Sequence, residues 1–322
     1  MKPNYLLITA FALQLHSFPV NAQNYEVDKT GSVTSKKQTV LLLKEPLGKN
    51  NIILFQTTLR VNTDGTPLSY HPQDPRGKAQ ALNNVCNAIA VRKSMAKDNL
   101  CLTSYSEAIG VFEKWRDANY LTIPEGYEIK WENVLAGIKV NGKIIPCVFK
   151  TGANKGYFGS LTALKNELPD DKSECELNNQ VNPMAVPALV LLGGNNALKE
   201  FGAGVGDLVV AYHPETRVIA AAIIGDTGPK DNLGEGSILL NMRLLKTTTL
   251  PTSRAETFKL SIENSKILIA ILPASRSFQL EGSKPYTADN IEKRVRDWQK
   301  QAGFSTLEQL VEHLKKFQLK LN

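Results

Sequence analysis

Short apolar runs rich in β-branched residues recur through residues 127–273, and turn-forming residues separate them. Runs of this kind, bounded by glycine, proline and asparagine, are typical of strands. Residues 136–140 and 143–145 flank Asn141 and Gly142, a dipeptide that strongly favours a hairpin turn. Many short strands in one body predict a mainly β fold that forms a single closed or nearly closed barrel, with the double-psi type as one candidate topology. The expected strands span residues 52–55, 57–61, 128–131, 136–140, 143–145, 186–192, 207–212, 217–224, 237–240 and 267–272.

Helices are expected at the edges of this β body. Apolar residues at helical spacing predict a short helix within residues 104–119. Thr287 and Gly303 delimit a helix at residues 288–301, since they supply an N-cap and a C-cap. A capping box predicts a further amphipathic helix at residues 306–317.

The N-terminus has the three parts of a secretory signal. Lys2 is the only charged residue before Glu26, residues 6–15 form an apolar run, and small residues lead to Ala22. A membrane anchor is the alternative, but an anchor needs about 20 apolar residues. We therefore predict a signal peptide at residues 1–22, secretion to the extracellular space or the periplasm, and no membrane association after cleavage.

Three further segments follow the signal. Residues 23–50 are polar and lysine-rich, and are expected to form a flexible N-terminal arm or a peripheral strand. Residues 51–280 hold the β domain. Residues 281–322 form a C-terminal helical extension that either packs on the body or recruits a partner.

The chain has four cysteines, and an even count in an exported protein predicts two disulfides. Three pairings are possible, and the shortest loops favour Cys86–Cys101 and Cys147–Cys175. Free, buried thiols are the alternative. The cysteines and histidines lack the spacing of a metal site, so neither a metal nor another cofactor is expected.

The net charge of +7 becomes +6 when Lys2 leaves with the signal. Lysine and arginine are spread along the chain, without a basic stripe that aromatic residues interrupt. Nucleic acid is therefore not an expected partner.

Asp226 and Glu235 are the strongest candidates for chemistry. An apolar strand ends at Asp226, and Glu235 starts the next strand nine residues later, with glycines beside both acids. If these strands pair, both carboxylates lie at one end of the sheet. Two carboxyl groups about 6.5–9.5 Å apart, one protonated and one ionised, suit inverting cleavage of a glycosidic bond. The structural alternative is a turn-capping aspartate and a solvated glutamate.

The segments 225–229 (Gly-Asp-Thr-Gly-Pro) and 234–238 (Gly-Glu-Gly-Ser-Ile) resemble the signature of glycoside hydrolase family 75, the fungal and bacterial chitosanases. The similarity covers roughly residues 52–280 and is that of a divergent, bacterial-type member. Weaker matches follow in the family's order at residues 62–65, 69–72, 156–162, 181–192, 206–208 and 271–275.

The resemblance implies that residues 51–280 form a secreted, endo-acting hydrolase. Such an enzyme cleaves β-1,4 linkages in chitosan or a related amino-sugar polysaccharide by an inverting mechanism. Asp226 and Glu235 then share the base and acid roles, and we favour Glu235 as the acid. The candidate substrate-binding side chains are Asp64, Tyr70, Tyr157, Thr162, Asp207 and Thr227, each with an alternative role in a turn or in packing.

Two residues depart from the family pattern. Asn62 stands where the family often has an acid, and Lys150 stands where a neutral polar residue is expected. Together with the basic net charge, they weaken the match to a polycationic substrate. Two alternatives therefore stay open: a hydrolase of another glycan, such as peptidoglycan, and a carbohydrate-binding protein that has lost turnover. The oligomeric state is open as well.

Overall fold

A computed structural model describes residues 24–33, 37–46, 48–166, 180–282 and 285–321. The strands are β1 (Glu26–Val33), β2 (Gln38–Lys44), β3 (Ile52–Asn62), β4 (Ala90–Lys93), β5 (Tyr127–Lys130), β6 (Gly137–Val140), β7 (Lys143–Pro146), β8 (Ala188–Leu191), β9 (Leu208–His213), β10 (Val218–Thr227), β11 (Glu235–Ser237) and β12 (Ile262–Leu272). The helices are α1 (Leu100–Thr103), α2 (Tyr105–Asp117), α3 (Ala197–Glu200), α4 (Ile238–Leu244), α5 (Arg254–Lys259), α6 (Ala288–Gln301) and α7 (Leu307–Lys315).

Six strands close into a barrel in the order β3-β11-β8-β10-β9-β12, and β12 pairs back onto β3. The β3–β11 and β8–β10 pairs are parallel, and the other pairs are antiparallel. The mainly β, closed-barrel expectation is therefore confirmed. The double-psi assignment stays a prediction.

Alternate residues of the barrel strands face opposite sides, as the pleat of a strand requires. One set, which includes Phe55, Leu189 and Ile224, fills the interior. The other set, which includes Leu54 and Ile223, packs outside against α6 and α7. Because apolar residues cover both faces, the strands are near-continuous apolar runs. We call the second set's side of the strands the outer face.

The prediction of a strand at residues 237–240 is wrong. The strand β11 ends at Ser237. The Ser237 hydroxyl accepts a hydrogen bond from the backbone N–H of Leu240 and so caps helix α4. This helix contacts β3, β8, β9 and β10. Its Leu240 and Leu244 belong to the interior cluster. Leu240 and Leu244 thus plug one end of the barrel, whereas Ile238 packs in a separate cluster with Leu82 and Met242.

The described part of residues 23–50 forms the strands β1 and β2 rather than a flexible arm. In this segment β1 pairs with β2, and β2 pairs with the first half of β3. The peripheral-strand alternative is therefore correct, and the arm is wrong. At the other end of the chain, helices α6 and α7 bury Ile291, Trp298 and Leu310 in the outer cluster. These helices pack on the body.

A satellite cluster lies beside the barrel, where β4, β5, α1 and α2 enclose Phe112, Trp115 and Phe158. The predicted disulfide between Cys86 and Cys101 is present within this part of the fold. The predicted partner of Cys147, Cys175, lies outside the described residues, as does the predicted signal peptide. No helix within the described ranges is both long enough and apolar enough to cross a bilayer.

Replacement of Gly234 tests the parallel pairing of β11 with β3. Its φ is +97°, and an added Cβ would lie 2.1 Å from the carbonyl oxygen of Thr58. We expect Gly234→Ala to lower the free energy of unfolding by at least ~2 kcal/mol, measured by urea denaturation.

The matched control is Gly110→Ala in helix α2, where an added Cβ meets nothing within 4 Å. It should change the free energy of unfolding by about 0 to 1 kcal/mol in the stabilising direction. Equal stability of the Gly234 variant and the wild type would contradict the β3–β11 pairing.

Candidate active site

Asp226 lies on the outer face of the barrel because a bulge turns it there. In the parallel pairing of β10 with β8, Ile224 lies opposite Leu189, whereas Asp226 lies opposite Val190. Gly225 is therefore an extra residue, and a bulge re-aims the side chain that follows it. Without the bulge, Asp226 would share the inward direction of Ile224.

Glu235 reaches the same face from β11. Gly236 lies opposite Leu189, an interior residue, and Glu235 lies opposite Arg60 of β3. Because side chains alternate along a strand, Glu235 points outward. The antiparallel register of β11 and β8, continued by one residue, places Glu235 opposite Val190.

Asp226, Val190 and Glu235 thus form a row across β10, β8 and β11, which we call the carboxylate row. Neighbouring strands lie about 4.8 Å apart, so the α-carbons of the two acids are about 10 Å apart. Val190, which is 6% exposed, separates them with apolar surface. The strands of the two acids do not pair directly, because β8 lies between them, yet both acids lie on one face of the sheet.

A third carboxyl group, that of Asp64, lies beside the carboxylate row, in the turn after β3. The Tyr70 hydroxyl donates to Asp64 Oδ1, and the Asp64 backbone N–H donates to Asn62 Oδ1 over 2.9 Å. Asp64 and Asp226 line the same narrow pocket, together with Asn62 and Val190. The volume of this pocket is about 10 Å³. That is about the space one water molecule needs.

Burial raises the pKa of all three carboxyl groups. The pKa of Asp64 rises to about 7, because burial and the charges of Asp226 and Glu235 outweigh the hydrogen bond from Tyr70. Burial raises the pKa of Asp226 to about 6, against two backbone N–H donors and a nearby lysine. Burial also raises the pKa of Glu235, and the charge of Asp226 adds to the effect. Asp64 and Asp226 therefore keep a proton at mildly acidic pH, and Glu235 holds its proton more tightly than a solvated glutamate does.

Polar side chains hold Glu235 in position. Asn232 donates a hydrogen bond to Glu235 Oε1, and Asn62 also hydrogen-bonds the Glu235 side chain. The positive charge of Arg60 partly offsets the rise that burial causes in the pKa of Glu235. Asn62 therefore links the Glu235 side chain to the Asp64 backbone, and this positioning role suits an amide at residue 62.

Gly228 lets the chain pass close over the row. A Cβ at this position would lie 2.9 Å from Val190 Cγ1 and 3.7 Å from Glu235 Oε2. The backbone at Gly228 therefore shields Val190 and one side of Glu235 from solvent. This shielding helps to explain the raised pKa of Glu235.

Two of the predicted substrate-binding residues lie beside Asp226. The Thr227 backbone N–H donates to Asp226 Oδ1 over 2.8 Å, and the Thr227 side chain is exposed. Thr162 is buried at the edge of the narrow pocket, where its hydroxyl donates to Leu164 and accepts from Val181. Thr162 thus stabilises the wall of the site.

The other predicted binding residues have contacts within the fold. Tyr70 is fully buried, so its aromatic face is closed to a sugar and its hydroxyl serves Asp64. Tyr157 packs edge-on against His71, at 4.8 Å between ring centroids. Asp207 is fully buried and accepts hydrogen bonds from the backbone N–H groups of Gly204 and Arg276. It therefore has the alternative role, that of a structural residue in a turn.

Sequence reasoning missed Val190, Asn232 and Arg60. Asn232 lies only three residues before Glu235, and this proximity in the sequence could have indicated a contact between them. Val190 lies between the two acids through strand pairing that is not local in the sequence, so no local signal indicates it. Within the described ranges, no three His, Cys, Asp or Glu side chains are placed so that they could hold a metal ion. No protein-family model matches the chain, and no curated protein matches it.

The substitution Asp64→Asn tests the electrostatics of this cluster. Between pH 4 and 7 the folded protein holds a proton on Asp64 that the unfolded chain releases, so stability falls as pH rises through this window. We expect the variant to gain about 2 kcal/mol in the free energy of unfolding at pH 8, and little at pH 4. Urea denaturation at the two pH values measures this.

Asp74→Asn is the matched control. The Asp74 carboxylate accepts backbone N–H groups from residues 78–81, and these bonds lower its pKa. Its replacement should therefore reduce stability at pH 8, the opposite sign. A loss of stability at pH 8 for Asp64→Asn as well would contradict the raised pKa of Asp64.

Proposed function

We propose that the protein is an exported, endo-acting glycoside hydrolase that cleaves β-1,4 linkages of an amino-sugar polysaccharide with inversion. The observation that supports this most is the carboxylate row, in which Asp226 and Glu235 flank Val190 on the outer face of the barrel. The resemblance of the two segments that carry these acids to the chitosanase family gives the substrate class.

The spacing of the row suits an inverting reaction. With α-carbons about 10 Å apart, side chains that lean together bring the carboxyl groups within the roughly 6.5–9.5 Å that leaves room for a water. Asp226 lines the narrow pocket, which has about the size of one water molecule. We therefore assign Asp226 as the base that activates water.

Glu235 is then the acid that protonates the leaving oxygen. Its neighbours Arg60 and Asn232 line an open groove along β3, where a sugar chain has access. Ionised Asp226 raises the pKa of Glu235, so deprotonation of the base helps the acid to keep its proton. Because the pKa of Asp226 is about 6, the base loses its function as pH falls below that value.

The raised pKa values favour an enzyme over a carbohydrate-binding protein. A binding protein gains nothing from buried acids that oppose folding at neutral pH, whereas general acid catalysis requires such a group. Glycans other than chitosan, peptidoglycan among them, remain compatible with the same pair of acids.

The proposal is tested with Asp226→Asn and Glu235→Gln. Each removes one proton-transfer group, so each should lower kcat/KM by about 10² to 10⁴. Release of reducing ends from chitosan, partly acetylated chitin and peptidoglycan measures turnover, and proton NMR of the first product reports its anomer, expected to be inverted.

Glu215→Gln is the matched control, since Glu215 is exposed in the turn before β10, far along the strand from Asp226. It should retain wild-type turnover. If the wild type hydrolyses none of these polymers, or if both site variants stay fully active, the proposed function is wrong.

A further inference from the structure

A groove of about 420 Å³ runs along the outer face of β3 and is lined by Arg60, which lies opposite Glu235. Its volume falls within the range of ligand sites, about 300–1,000 Å³. Its walls come from β2, β3, the loop before β11, the irregular part of β12 and Leu321. The polar and basic side chains that line it include Lys37, Gln56, Thr58, Arg60, Asn232 and Lys266.

The groove lies next to the site. Gln56, Thr58 and Arg60 alternate along β3, so their side chains share one face, and Asn62 continues that face to the pocket of Asp226. Arg60 lies opposite Glu235 in the strand pairing, and Asn232 both lines the groove and donates to Glu235. A chain bound in the groove would therefore reach the acid.

The groove is positively charged. Lys37, Arg60 and Lys266 line it, and Asp231 is the acidic residue among its lining. Arg60 also contacts Glu263 at 3.6 Å, an exposed ion pair of small energy. Lys37 and Lys266 are exposed, and neither forms an ion pair with any residue that the structure describes. Two ammonium groups are thus available to a ligand.

We propose that this groove binds an acidic glycan, an amino-sugar polymer whose units carry carboxylates, and delivers it to Glu235. Ammonium and guanidinium groups form charge-assisted hydrogen bonds with carboxylates. The amide and hydroxyl side chains of Gln56, Thr58 and Asn232 suit the sugar hydroxyls between the charges. The inference rests on the proposed function and narrows its substrate, because the three cations repel polycationic chitosan.

The groove fits a glycan better than a nucleic acid. Single strands are bound by aromatic side chains on which bases stack, and none of the described residues that line the groove is aromatic. Charge alone therefore does not make this a nucleic-acid site.

The test measures binding separately from turnover. In the inactive Glu235→Gln protein, calorimetry compares four probes of equal length: glycan strands of peptidoglycan, hyaluronan oligosaccharides, chitin oligosaccharides and chitosan oligosaccharides. We expect an acidic probe to bind at least about tenfold more tightly than the neutral and cationic probes. The further pair of changes Lys37→Gln and Lys266→Gln should weaken that binding about five- to tenfold. The first two probes distinguish a lactyl carboxylate from a uronate.

The control is Lys139→Gln, an exposed lysine on β6 outside the groove, which should leave the affinity unchanged. Hydrolysis assays with the wild type run in parallel, so the two proposals can fail separately. Tighter binding of chitosan, an equal effect of Lys139→Gln, or stronger binding of a single-stranded DNA of the same charge would overturn the acidic-glycan inference. Binding of an acidic glycan without any turnover would support the groove and overturn the hydrolase.

Discussion

The pairing of β3 with β11 holds the site together. The first half of β3 pairs with β2 and β12, and its end turns to β11, which closes the barrel and places Arg60 and Asn62 beside Glu235. With β11 fixed, β8 fills the space between β11 and β10, so Val190 sets the separation of the two acids. The groove, the carboxylate row and the narrow pocket all lie along the outer face that this pairing creates.

The same arrangement opposes the stability of the fold. Three carboxyl groups share a partly buried face, and burial raises the pKa of each. Their cost is limited by polar contacts: the Tyr70 hydroxyl bonds Asp64, backbone N–H groups bond Asp226, and asparagine side chains bond Glu235. Acids whose pKa values are raised by burial and by each other cluster at functional sites, and this electrostatic pattern supports a catalytic role.

Local signals in the sequence predicted local structure well. The helix at residues 288–301 has the bounds expected from its caps, and the Asn141-Gly142 hairpin is present. Residues 237–240 misled the prediction because a short apolar run suits a strand and a barrel-plugging helix equally. The bulge at Gly225 and the position of β8 could not be predicted, because both depend on pairing between residues far apart in the chain. The candidate acids were found from their motif, whereas their separation and the supporting asparagines required the structure.

The most direct test of the shared, proton-holding cluster is a carbon-13 NMR titration of the aspartate and glutamate carboxyl groups. Assignment by Asp64→Asn, Asp226→Asn and Glu235→Gln identifies each signal. The account predicts that Asp64 titrates near pH 7 and Asp226 near pH 6, with Glu235 above its ordinary range. If all three titrate near pH 4, as solvated acids do, the carboxyl groups do not form a buried cluster and the catalytic account is contradicted.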